Sequence, residues 1–129
     1  MKFKAEQPTG KWVPRRMRLW EEEHREYYPM YEQAQDLERQ GRLEEALSIY
    51  MRILSDYTPR GTVYYERPAI ILERLGQFDR AIAICKRAIK VIEAGLFRAD
   101  VEPFERRKVR LENKKQRIPN RPRETRTPN

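Results

Sequence analysis

Gln40-Gly41-Arg42-Leu43-Glu44-Glu45-Ala46 and Leu75-Gly76-Gln77-Phe78-Asp79-Arg80-Ala81 are the two stretches that decide the fold. Set one above the other at a spacing of 35 residues, they align Gly41 with Gly76 and Ala46 with Ala81. A helical pattern ends before each glycine, near Leu37 and near Leu72. Another begins after it, through Ala46, Leu47, Tyr50, Ile53 and Leu54 or through Ala81, Ile82, Cys85, Ala88 and Ile89. Apolar residues at three- and four-residue steps mark one face of a helix. A glycine just past a helix end suits the left-handed position that only glycine takes cheaply. A fixed period of this size means stacked helical units, none of which can bury its apolar face alone.

Outward from that centre, the spacing predicts a helix over about Pro29–Gln40 with Met30, Ala34 and Leu37 on one face, and a second over Leu43–Asp56. Tyr57-Thr58-Pro59-Arg60-Gly61-Thr62 reads as a turn. Two more helices follow, over about Val63–Leu75 and Phe78–Ala94, and Gly95 is the expected terminator. Upstream, Pro14 suits a first helical turn, and Met17, Trp20, His24 and Tyr27/Tyr28 trace an amphipathic helix carrying Glu21, Glu22, Glu23 and Glu26. Pro29 is expected to break or kink it. Downstream, Asp100 is a candidate N-cap for a helix over 100–118 with Val101, Phe104, Leu111 and Ile118 on one side, stopped by Pro119. The expected organisation is an irregular arm over 1–13, one helical domain over 14–118 with repeats at about 28–60 and 62–95, and a disordered basic tail over 119–129. The fold class is all-α, a short stack of antiparallel helical hairpins with flanking N- and C-terminal helices.

These residues resemble the tetratricopeptide repeat over about residues 27–95. The resemblance implies paired antiparallel helices, with small residues at the helix crossings: Ala34, Ala46, Ala69, Ala81 and Ala88. Gly41 and Gly76 would stand at the turns within each pair. Tyr50 occupies the place of the aromatic in the second helix of repeat one, and Cys85 replaces it in repeat two. Pro59 stands near the place of the proline that closes a repeat, and Glu93-Ala94-Gly95 stands there in repeat two. Pro68 departs from the pattern, so the second pair's first helix either starts late, near Tyr65, or is kinked. Two hairpins are few for such a stack. The flanking helices or self-association into a homo-oligomer would complete it.

The resemblance also implies a ligand groove lined by the first helix of each pair. Its residues here are Tyr31, Gln35 and Glu38, then Glu66, Ile70 and either Glu73 or Arg74, with Tyr31 and Ile70 alternatively packing against neighbouring helices. The Lys/Asn/Arg set with which chaperone-binding members hold a terminal carboxylate is missing. The expected function is therefore a non-enzymatic adaptor or regulatory module that binds another protein.

Charge supplies the alternative. The chain of 129 residues carries +8, and residues 106–129 hold ten Lys/Arg against Glu112 and Glu124, so 1–105 are balanced. Arg107, Arg110, Lys114 and Arg117 fall on one helical stripe, with Arg106 close by and Arg121 beyond. Such a stripe neutralises phosphates, but 105–129 lack an aromatic for base stacking. A weak, sequence-blind nucleic-acid contact is what this segment would make. About five phosphate contacts would give a log–log salt slope of roughly −3.5 to −4.5.

Catalysis has little to stand on. The one histidine and one cysteine are far apart in the chain. His24 reads as a surface or partly packed residue. Cys85 lies on a packing face, where it acts as a small apolar group. No His/Cys set reaches the three or four ligands zinc needs, Glu21–Glu23 reads as a solvated face, and no cofactor is implied. A single cysteine forms no internal disulfide, no segment reads as a signal peptide or a membrane span, and the expected compartment is the cytoplasm.

Overall fold

The computed structural model describes the backbone of residues 15–126 and the side chains of residues 19–117. The expected irregular arm over 1–13 lies outside the described residues, as do the side chains of Met17, Ile118 and Arg121. Among the described residues five helices follow one another: α1 Arg15–Arg39, α2 Leu43–Asp56, α3 Val63–Arg74, α4 Phe78–Glu93 and α5 Glu102–Arg126. Each packs against the next. The short connections fold each helix back on the one before, so α1/α2 and α3/α4 are stacked hairpins and α5 packs against α4. The architecture is all-α, as the repeat implied.

The repeat glycines act as expected. Gly41 and Gly76 have φ of +79° and +78°. After α1, the Gly41 amide donates to the Glu38 carbonyl and Arg42 to Leu37, both at 2.9 Å. After α3, Gly76 donates to Glu73 at 3.0 Å and Gln77 to Leu72 at 2.8 Å. This paired closure satisfies carbonyls that a helix end leaves orphaned. It places Leu37 and Leu72 identically, which is why the two were in register in the sequence. Gly95 closes α4 in the same way, through Ile92 and Val91.

Ala34, Ala46, Ala69, Ala81 and Ala88 are all fully buried, so the helices approach where a larger side chain would hold them apart. Tyr27, Tyr50, Tyr65, Phe104, Ile53, Ile71, Leu72 and Leu111 fill the rest of the core. Their polar atoms are satisfied: the Tyr65 hydroxyl donates to the Pro59 carbonyl at 2.7 Å. Arg87 of α4 donates to the Leu54 and Tyr57 carbonyls at 2.5 and 2.9 Å, covering the C-terminus of α2. Cys85 is fully buried, and burial pushes its thiol up to about 11.

Pro29, Pro68 and Pro119 all lie inside helices. Pro29 does not divide the N-terminal region, and α1 runs through it. Proline leaves the carbonyl four residues earlier without its donor. That carbonyl belongs to Arg25, and both residues are exposed, so water can serve it. The second pair's first helix starts at Val63 and passes through Pro68, so the late start near Tyr65 does not occur. Pro68 is buried among the core side chains, and its packing offsets part of the lost hydrogen bond. Finally, α5 does not stop at Pro119: its backbone continues to Arg126, so the expected disordered tail is helical that far. Asp100 sits one position ahead of the strict cap, where its carboxylate accepts from the Glu102 amide at 3.0 Å.

Candidate functional site

Because α1 and α3 both precede a fold-back, they lie side by side and parallel, and an open cleft of about 420 Å³ runs between them. It is lined from α1 by Tyr31, Gln35, Glu38 and Arg39 and from α3 by Val63, Glu66, Arg67 and Arg74. Five of the six residues named from the repeat register line it: Tyr31, Gln35, Glu38, Glu66 and Arg74. Ile70 is half-buried and does not line it. The choice between Glu73 and Arg74 resolves to Arg74, because Glu73 points to the other side, toward α5.

The wall of the cleft is held by Glu38. Its carboxylate accepts a 2.9 Å hydrogen bond from the Tyr50 hydroxyl of α2. It also receives the Arg67 guanidinium of α3, Nε at 3.3 Å and Nη2 closer still. At 10% side-chain exposure this carboxylate is enclosed, and two partners compensate its desolvation. Burial first, and then the Glu38 hydrogen bond, push the Tyr50 hydroxyl far above its ordinary value. Glu38 is thus engaged within the fold, so it shapes the cleft and presents Arg67 to it.

Tyr31 is only 8% exposed. Its ring packs against Tyr64 at 5.0 Å and Tyr50 at 6.0 Å between centroids. It shares the buried stripe of Tyr27 and Ala34 and gives the cleft only an edge. The alternative reading, in which Tyr31 packs against neighbouring helices, therefore holds for most of its surface. Val63, at 36% exposure, supplies the free apolar surface at that end of the cleft.

The basic stripe of α5 also has internal partners. Glu73 of α3, with 14% side-chain exposure, receives Arg110 at 2.6 Å, Lys114 at 2.8 Å and Arg107 at 3.4 Å. Burial alone would raise its carboxyl, but the Lys114 and Arg110 hydrogen bonds and charges outweigh this and hold it below the ordinary range. Arg106 pairs with Glu102 at 2.9 Å. Four of the six cations named for nucleic-acid contact are therefore in ion pairs. Arg117 is exposed, and the Arg121 side chain lies outside the described residues.

His24 is half-buried in an aromatic ladder, with centroid distances of 5.3 Å to Trp20 and 5.1 Å to Tyr28. The Arg60 guanidinium lies 5.5 Å from the Trp20 ring. Among the described residues no group of three or more His, Cys, Asp or Glu could hold a metal ion. No helix of these residues is long and apolar enough to cross a membrane. No family model matches the chain, and no curated protein or solved structure matches it. The tetratricopeptide resemblance thus rests on the chain's own repeat residues.

Sequence reasoning missed Arg39, Val63 and Arg67. Arg39 was within reach, one helical turn beyond Gln35. Arg67 was not, because its pairing with Glu38 joins two repeats at a separation that no local pattern encodes.

Proposed function

We propose that this chain is a non-enzymatic interaction module that holds an extended segment of a partner protein in the α1/α3 cleft. The observation that carries the reading is the convergence of Gln35, Glu66 and Arg74, three polar side chains from two repeats, on one open cleft with a fixed wall. A cleft of this kind favours binding because its walls are ordered before the partner arrives, which lowers the entropy cost of association. The tetratricopeptide resemblance supports the same face, since it puts the ligand on the first helix of each pair. On this reading Gln35, Glu66 and Arg74 make polar contacts, Val63 makes an apolar one, and Glu38 positions Arg67.

The test is site-specific photo-crosslinking in a lysate of the source cells, with the photoreactive group placed at Gln35 or, as a control, at Lys86 on the exposed side of α4. The reading expects a discrete protein adduct from position 35 that is missing from position 86. Equal adducts from both positions, or none from position 35, would count against it. The second reading, an electrostatic nucleic-acid contact through α5, is weaker, because Glu73 and Glu102 already occupy Arg106, Arg107, Arg110 and Lys114.

A further inference from the structure

We propose that a second cleft, at the N-terminal end of α1, is the seat of the chain's own N-terminal arm, with Pro8 against Leu19 and Trp20 and an arm carbonyl accepting from the Trp20 indole. α1 has 25 residues and its hairpin partner α2 has 14, so the first turns of α1 run on past the hairpin. There they meet connections instead of a helix. An open cleft of about 310 Å³ is lined by Leu19, Trp20 and Glu23 of α1, by Thr58 and Arg60 of the α2–α3 connection, and by Leu96 after α4. The connection is fixed against α1, because the Tyr57 hydroxyl donates to the Glu26 carboxylate at 2.6 Å. Leu19 is 47% exposed. The Trp20 Nε1 is buried and has no hydrogen-bond partner among the described residues. A buried donor without a partner is costly, and in a native fold such a group calls for an acceptor.

Reach and tether select the arm as the occupant. Trp20 lies five residues into α1 from Arg15, roughly 7.5 Å along the axis. A chain reversal takes about four residues, and Gly10-Lys11-Trp12-Val13 stand where it is needed, with Gly10 free of the steric limits on a tight turn. An extended return over that distance takes about two residues more, which brings Gln7-Pro8 level with Leu19 and Trp20. Pro8 suits the place chemically. It presents an apolar ring and a carbonyl acceptor but has no N–H of its own, so its burial adds no new unpaired donor. A proline also holds the residue before it extended. A tethered segment acts at an effective concentration on the order of millimolar, so one apolar contact and one hydrogen bond suffice to seat it.

The test is paramagnetic broadening in amide and indole NMR spectra of the full-length protein with a nitroxide at Lys4→Cys. Cys85 is buried, so the label goes to position 4 alone. The proposal expects broadening centred on Leu19, Trp20, Thr58 and Leu96. It expects that broadening to be lost in Pro8→Asp, with the shifts of α2, α3 and α4 unchanged. Broadening that is absent, or spread evenly over the surface, would overturn the proposal. So would broadening centred on residues 31–39 and 63–74, which would put the arm in the α1/α3 cleft. Survival of the pattern in Pro8→Asp would refute Pro8 as the contact. Mixing nitroxide-bearing chains with isotope-labelled chains that lack the nitroxide shows whose arm is bound: no broadening is expected, and broadening at Leu19 and Trp20 would assign the cleft to the arm of a second copy.

Discussion

Glu73→Gln tests how α5 is held to the stack. The substitution keeps the shape of the side chain and removes the one negative charge beneath three cations. The donors lie at 2.6, 2.8 and 3.4 Å, and the cations are 49%, 39% and 23% exposed against 14% for the carboxylate. A fully exposed ion pair contributes ~0.2–1 kcal/mol, and a charge-assisted hydrogen bond in a shielded place about 1.5–3. With half-exposed donors the lower figures apply, about 0.5 kcal/mol for each partner. Loss of the carboxylate also leaves three cations facing one another. The expected cost is about 1–2 kcal/mol, or roughly 3–8 °C in melting temperature for a chain of this size.

Acid dependence gives that prediction a signature of its own. The folded carboxyl of Glu73 lies below the ordinary range. Its stabilisation is therefore complete above the unfolded-chain value of about 4.3 and is lost as pH falls through the lower folded value. Thermal unfolding followed by circular dichroism should show wild type and Glu73→Gln separated at neutral pH and converging below about pH 4. High salt should narrow the gap at neutral pH. Equal melting temperatures at neutral pH, or a gap unchanged by acid, would refute the assignment of Glu73 as the anchor of α5.

Four further outcomes follow. Ala81→Leu overpacks a fully buried crossing and should cost about 1–3 kcal/mol in chemical denaturation; no loss would mean that α3 and α4 do not cross there. Native Cys85 should resist thiol reagents, since it is fully buried and its thiol is pushed up to about 11, and labelling should track global unfolding. Tyr31→Ala should destabilise by about 3 kcal/mol or more, whereas Gln35→Ala should change binding with its melting curve intact. Any nucleic-acid binding by α5 should have a salt slope nearer −2 than −4, because about two contacts remain once the paired cations are set aside.

The hairpin stack was legible because its cause is local. Gly41 and Gly76 each close a helix through backbone bonds to the preceding turn, so the period appears in the sequence itself. Burial of Ala34, Ala46, Ala69 and Ala81 follows from the same register. The prolines were not legible, because the cost of one inside a helix depends on where the orphaned carbonyl points. Arg25 and Pro29 are exposed, whereas Pro68 is fully buried, which no local rule tells. Tyr31 was ambiguous for a related reason: the α1 stripe that buries Tyr27 and Ala34 includes it, while its edge still reaches the cleft. The stripe of Arg107, Arg110 and Lys114 looked free because Glu73, which all three share, lies a whole helix away in the chain. For that reason, reversing Arg110 and Lys114 to Glu would gather acids around Glu73 and perturb folding along with any phosphate contact.

The most direct test of the central claim is an amide NMR titration of the isotope-labelled full-length protein with the partner captured at position 35. The account predicts shift changes confined to residues 31–39 and 63–74, abolished by Arg74→Glu while the free spectrum stays folded. Changes centred on residues 106–117, or on the exposed face of α4, would contradict it.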